Sequence, residues 1–171
     1  MAATSLLSRP LDLVYFIYFV THIPVTFLID FQVFYPASIV PQVLKDALAM
    51  FVNDFKDPLM GADPPHYWFL SFVYCELFFQ FIFFFVACHG LWKDSTRCRI
   101  GLCIYASHVA TTVNASLFEV FLNPAYALTS TERYTLASFY LPYLILPLIM
   151  LVDSYFRLSK ALSHTQSKKV D

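Results

Sequence analysis

The stretch Tyr67 to Trp92, YWFLSFVYCELFFQFIFFFVACHGLW, constrains the chain more than any other: twenty-six residues carry one formal charge, that of Glu76. As a helix rising 1.5 Å per residue the run is about 39 Å long, enough to cross a hydrocarbon core of about 30 Å with some tilt. It reads as a membrane span over residues 67–90. Glu76 is its anomaly. An ionised carboxylate near mid-bilayer costs at least about 2.5–3.5 kcal/mol, so it is expected to face the bundle interior with a partner, a shared proton or a water-filled cavity.

The rest of the chain keeps this character. Of 171 residues, 58% are hydrophobic and 19% aromatic, only 13% are charged and three are glycine, so no polar stretch is long enough to make a separate soluble domain. Net charge near zero and basic residues without interleaved aromatics argue against a nucleic-acid partner. Cys75, Cys88, Cys98 and Cys103 lack zinc-site spacing and lie in or beside apolar segments, so they read as buried reduced thiols. No metal and no cofactor is expected. The first apolar run lacks a small-residue cleavage site after it and reads as a retained span, not a signal peptide.

In chain order, the first span covers residues 11–29, is interrupted by Pro24 and ends at Asp30; His22 sits just before the proline. Residues 31–66 are too polar and proline-rich to span. Within them VPQVLKDALAMFVNDF (residues 40–55) places Val43, Leu44, Leu48, Phe51, Val52 and Phe55 at helical spacing, which predicts a short amphipathic helix at the interface, with Pro41 near its start. A third span is expected over residues 100–121. Its Tyr105, His108, Thr111 and Thr112 are three to four residues apart and are expected to share an inward face. The fourth covers residues 134–156, broken in its first third by Pro142 and Pro147, and a basic, frayed tail follows over residues 158–171. The sequon Asn114-Ala115-Ser116 falls inside a span, beyond a glycosyltransferase's reach.

This predicts an all-α membrane protein: one domain over residues 1–157, a four-transmembrane-helix bundle with a short amphipathic lumenal helix between the first and second spans. Eight Lys and Arg (Arg9, Lys93, Arg97, Arg99, Arg157, Lys160, Lys168, Lys169) fall on the side of the termini and three (Lys45, Lys56, Arg133) on the other. That asymmetry predicts cytosolic termini. The final KKVD, with Lys168 and Lys169, resembles a retrieval signal of endoplasmic-reticulum membrane proteins.

Asp30 and Glu76 are the two acids that border or enter the spans without an adjacent cation in sequence. The first span runs toward the lumen and the second returns from it, with Glu76 about 13 Å down from Tyr67. A kink at Pro24 or a deep start to the loop would bring the acids level. Two carboxylates in a dry site share one proton and keep about one negative charge, which suits an apolar ligand with a single cation. Gln80, one turn beyond Glu76, shares its face. Tyr105, Thr112 and Tyr143 are expected to complete a greasy pocket with a few directed polar groups. The alternative is that Glu76 bonds to a tyrosine or threonine and serves only to hold helices together.

Five segments then carry a resemblance: HIPVTFLIDFQ (residues 22–32), DFKDPLM (54–60), DPPHYWFLSFVYCELFFQ (63–80), IYASHVATT (104–112) and FYLPYLILP (139–147). In order and spacing they resemble the sigma-2 receptor branch of the EXPERA family, which also includes the emopamil-binding sterol isomerase. The resemblance implies a four-helix endoplasmic-reticulum protein, extending to rough reticulum and nuclear envelope. It further implies a homodimer that binds sterols, oxysterols and cationic amphiphiles in an occluded pocket and takes part in cholesterol homeostasis with the Niemann-Pick C cholesterol transporter as a partner. By motif, Asp30 resembles the acid that meets the ligand amine and Glu76 its hydrogen-bonded partner. Asp57 resembles a structural acid beside the pocket, and Gln80, Tyr105, Thr112 and Tyr143 resemble lining residues. Met50-Phe51 stands where the vertebrate pattern has Trp-Tyr, and FIFFFVA lacks the prolines of that pattern, which predicts a straighter helix and altered ligand preference.

The leading reading is a receptor without catalysis. A sterol isomerase is the alternative, because it too needs an acid and a base on either side of a ring double bond. No second His/Glu set is expected beside Glu76, since His89 lies near the cytosolic end and His108 on another span. A lipid-transfer or assembly scaffold is the third.

Overall fold

The computed structural model describes residues 4–167, and the Lys168-Lys169 pair lies outside the described residues. Helices α1 (Pro10–Leu28), α2 (Gln42–Asp54), α3 (Tyr67–Cys75), α4 (Phe81–Trp92), α5 (Cys98–Leu122) and α6 (Ser130–Ser167) make up an all-α fold with no strand among the described residues. A five-residue π-helical segment, Glu76–Gln80, joins α3 to α4, so Tyr67–Trp92 is one continuous helical rod. A 3-10 turn, Asp30–Phe34, follows α1.

Three helical stretches are long and apolar enough to cross a membrane: Pro10–Phe34, Tyr67–Trp92 and Ser130–Ser163. Helix α5 has 25 residues, a sufficient length, but Ser107, His108, Thr111, Thr112 and Asn114 dilute its apolar content. It packs along α6 while α1 packs along α4.

Helix boundaries follow local chemistry. Pro10 opens α1, where its missing N–H costs nothing. Helix α6 begins earlier than hydropathy suggests because Thr129 and Glu132 form a capping box. Glu132 Oε2 accepts from Thr129 N at 2.8 Å, and Glu132 N donates to Thr129 Oγ1 at 3.3 Å. Pro142 and Pro147 do not break α6, and residues 158–167 extend it instead of fraying. Each proline removes one backbone bond, a loss the remaining ladder and neighbouring helices absorb.

Apolar helices gain nothing hydrophobic by leaving lipid, so close packing must hold them together. Tyr15 and Phe19 of α1, Phe84 and Ala87 of α4, Leu102 and Ala106 of α5 and Met150 of α6 form the buried centre. Gly90 and Gly101 let α4 and α5 touch: a Cβ at Gly90 would lie 2.5 Å from Cys98 Sγ, and one at Gly101 2.5 Å from the Phe83 ring.

One end of the bundle is locked by charge. Asp12, fully buried, accepts from Arg99 Nη2 through both carboxylate oxygens at 2.7 Å, pairs with Arg9, and lies 3.4 Å from Arg157. Arg157 in turn donates to Asp153 at 2.9 Å. The cluster joins α1, α5 and α6. Asp12→Asn would remove the carboxylate that Arg99 grips through both oxygens and leave three guanidinium groups to Asp94 and Asp153, at a cost of about 3–5 kcal/mol. It should lower the denaturation midpoint of the detergent-solubilised protein markedly; an unchanged midpoint would show the cluster to be dispensable.

Candidate functional site

The second half of α1 and the start of the 3-10 turn after it carry a polar stripe. Tyr18, His22, Thr26 and Asp30 follow one another at intervals of four, which keeps them on neighbouring positions of one helix face. The stripe looks onto the π-helical segment of the second rod. There the backbone widens from i→i+4 to i→i+5 bonding, an irregularity that recurs at functional sites, and its first and last residues are Glu76 and Gln80.

The two elements bring three chemically active groups together. One ligand atom each from His22, Asp30 and Glu76 lies within 4.8 Å of the others, so these are the residues that could serve as metal ligands. Thr26, with no solvent exposure, donates its hydroxyl to Glu76 Oε1 at 2.9 Å. His22 Nε2 is 3.7 Å from the same oxygen. The imidazole stacks on Phe84 with ring centres 4.9 Å apart and is flanked by Tyr18 and Tyr143 at 5.2 Å and 4.9 Å. Aromatic packing therefore fixes the ring, and a buried hydroxyl fixes the carboxylate.

These groups open onto a cavity of about 470 Å³, within the size range of small-molecule sites. Its walls are mostly apolar. Val25 of α1, Ile29 just after it, Phe72 and Val73 of α3, and Val109 and Val113 of α5 contribute, and α2 closes over it with Ala47, Met50 and Phe51. Met50 and Phe51 thus stand at the rim. The polar lining is confined to His22, Asp30, Glu76, Gln80, Thr112, Ser116, Tyr140 and Tyr143.

Of the residues expected at the site, Asp30, Glu76, Gln80, Thr112 and Tyr143 line the cavity. Tyr105 does not. It is buried one layer behind, its hydroxyl 2.8 Å from that of Tyr18, whose ring lies 6.0 Å from Tyr143. Asp57 is also outside the lining and acts as a turn cap. Its Oδ1 accepts from the backbone N–H of Leu59 and Met60 at 2.8 and 3.0 Å, and its Oδ2 from the Tyr140 hydroxyl at 2.7 Å. Asp57 reaches the cavity through Tyr140 and Met60, which do line it.

Two expectations need correction. Tyr105 and Thr112, seven residues or about two turns apart, share the inward face of α5, but Thr111 is exposed and its hydroxyl returns to the Ser107 carbonyl at 2.9 Å. His22 supplies the imidazole beside Glu76 that His89 and His108 do not. Thr26 and His22 were detectable from the four-residue stripe ending at Asp30. Tyr140 had no such signal.

The chain matches the EXPERA (EXPanded EBP superfamily) family over residues 43–154, a range that takes in Glu76, Gln80, Thr112 and Tyr143. The chain belongs to the EXPERA family. Among curated EXPERA-like relatives, it is 40% identical to Sigma intracellular receptor 2 of Xenopus tropicalis over 156 residues, 87% of this chain and 90% of that protein. It is 38% identical to Sigma intracellular receptor 2 of Homo sapiens over 146 residues, 80% of this chain and 82% of that one. Efficient mitochondria targeting-associated protein 19 of Saccharomyces cerevisiae is 30% identical over 152 residues, 78% of this chain and 91% of that protein.

Tyr140→Phe keeps the ring at the EXPERA cavity but leaves Asp57 Oδ2 without its buried donor, at a cost of about 1–3 kcal/mol. A drop in melting temperature relative to wild type is expected; equal stability would mean that water replaces the phenol at Asp57.

Proposed function

We propose that this EXPERA protein is an intracellular membrane receptor whose cavity takes a sterol, an oxysterol or a cationic amphiphile. In this reading α1, the Tyr67–Trp92 rod, α5 and α6 form a four-span bundle in the endoplasmic-reticulum membrane, with α2 on the lumenal side. One observation carries the reading: Asp30 and Glu76 converge, within 4.8 Å, in the wall of a mostly apolar cavity. An acid pair in such surroundings attracts a single positive charge, while the apolar walls accept a hydrocarbon body. Similarity to proteins named Sigma intracellular receptor 2 supports a binding role over a catalytic one. A homodimer, a role in cholesterol homeostasis and an encounter with the Niemann-Pick C cholesterol transporter belong to the same proposal.

In this reading Gln80, Thr112 and Tyr143, which line the cavity, contact the guest directly. Asp57 and Tyr105 act through Tyr140 and Tyr18. The Met50-Phe51 rim lacks a phenol, so ligands that rely on a hydrogen bond there should bind less well than aliphatic ones.

A second reading, sterol isomerisation, gains support from His22, which places a base beside the acid Glu76. The two readings separate by complementation. Expression in yeast lacking its sterol isomerase should not restore normal sterols if the chain is a receptor; restoration that depends on Glu76 and His22 would establish the enzyme.

Asp30→Asn and Glu76→Gln should each weaken binding of a radiolabelled cationic amphiphile at least about 30-fold, since truncating one partner of a buried charge contact costs about 2–5 kcal/mol. Unaltered binding in variants of wild-type stability would reject the pocket as the amine site.

A further inference from the structure

We propose that His22, Asp30 and Glu76 form a zinc site at the polar end of the cavity. The donor set favours such an ion over the hard divalent cations. Calcium needs six to eight oxygen ligands, and magnesium near-ideal octahedral geometry with several retained waters, whereas zinc takes imidazole and carboxylate together in a four-coordinate site. Three protein ligands with an open fourth position is the arrangement of reactive zinc centres. Here the open position faces the cavity, so a water or a polar group of a guest would complete the shell.

Three observations support this assignment. The imidazole is unsatisfied: its side chain is only 10% exposed, Nδ1 has no hydrogen-bond partner, and Nε2 lies 3.7 Å from Glu76 Oε1. That separation is long for a hydrogen bond but close to the spacing of about 3.3 Å between two ligands that share a tetrahedral zinc with bonds of about 2.0–2.1 Å. An ion on Nε2 would supply the partner that this nitrogen lacks at 3.7 Å, while Nδ1 stays packed among the rings of Phe84, Tyr18 and Tyr143. Second, charge balances. Two carboxylates and a neutral imidazole neutralise a dication completely, which matters where the walls are valine, isoleucine and phenylalanine. Third, the ligands are already oriented from behind: Thr26 donates to Glu76 at 2.9 Å, and Phe84 stacks on the imidazole. Ligating carboxylates in metal sites are held by hydrogen bonds of this kind. The three ligand atoms lie within 4.8 Å of one another, so binding the ion must draw them together by up to about 1.5 Å.

The site shares Asp30 and Glu76 with the proposed amine contact but adds His22, which separates the two ideas. The full chain, purified in detergent or nanodiscs, is titrated with ZnCl2 by calorimetry and with CoCl2 by absorption. One zinc per chain is expected. Cobalt should give the strong visible bands of a four-coordinate site without the near-ultraviolet thiolate absorption that Cys75, Cys88, Cys98 or Cys103 would produce. Because the two acids cannot serve a dication and an amine at once, ZnCl2 should displace the labelled amine from the wild type. His22→Ala should weaken zinc binding at least tenfold and raise the zinc concentration needed for that displacement by the same factor, and Asp30→Asn should weaken both ligands.

Failure to bind zinc stoichiometrically, a thiolate signature, a weak six-coordinate cobalt spectrum, or undiminished zinc affinity in His22→Ala would each overturn the assignment. If His22→Ala does not fold, the wild-type cobalt spectrum decides alone. If wild type binds zinc but no labelled amine, the receptor reading fails and the metal site stands; the reverse result rejects only the metal site.

Discussion

Charge in a medium that cannot solvate it must be compensated within the protein, and the two ends of this bundle meet that requirement in opposite ways. Asp12 is surrounded by Arg9, Arg99 and Arg157, so its charge is matched several times over and its helices are fastened together. Asp30 and Glu76 make no ion pair with Lys or Arg among the described residues. What they have is a hydroxyl from Thr26 and an imidazole from His22. At one end every acid among the described residues has a guanidinium partner. The other has acidic capacity left over, and that surplus lies beside the cavity that α2 covers.

The same contrast separates structural acids from available ones. Among the described residues Asp57 is as buried as any acid except Asp12, yet most of its acceptor capacity is taken by two backbone N–H groups and a phenol. It holds the turn before α3 and one wall of the cavity, and has little left to offer a guest. A resemblance in motif alone places Asp57 with Asp30 and Glu76, whereas hydrogen-bond accounting sets it apart.

Much of this was legible in the sequence because the bilayer imposes coarse rules. A run of about twenty apolar residues announces a span, and an acid inside one announces an interior face. The rod Tyr67–Trp92, the amphipathic α2 and the meeting of Asp30 with Glu76 were read on those grounds. Finer features were hidden where their signals are weak. His22 and Thr26 sit among strongly apolar neighbours, so the four-residue stripe that unites them with Asp30 is drowned in the hydropathy of the span. The early start of α6 rests on Thr129 and Glu132, a local device that hydropathy ignores. The fate of Thr111 shows the limit of spacing arguments: three- and four-residue steps add up to rotation, and a polar face drawn too wide wraps round to the outside. Pro142 and Pro147 mislead in the opposite direction, because helix breakers in water are tolerated where neighbouring helices satisfy the backbone.

The π-helical segment also sets the rotational phase between the two halves of the rod. Upstream of it, Phe72, Val73 and Glu76 are aimed at the cavity; downstream, Phe84, Ala87 and Leu91 are aimed at the packed centre against α1 and α5. Each residue of an α-helix turns the chain by about 100°. Trimming the widened turn to regular geometry by loss of one residue would swing one half out of alignment with its target, whichever half stayed fixed. The bulge therefore works as a fixed angular offset, allowing a single rod to serve a hollow chamber along one part of its length and a solid interior along the other.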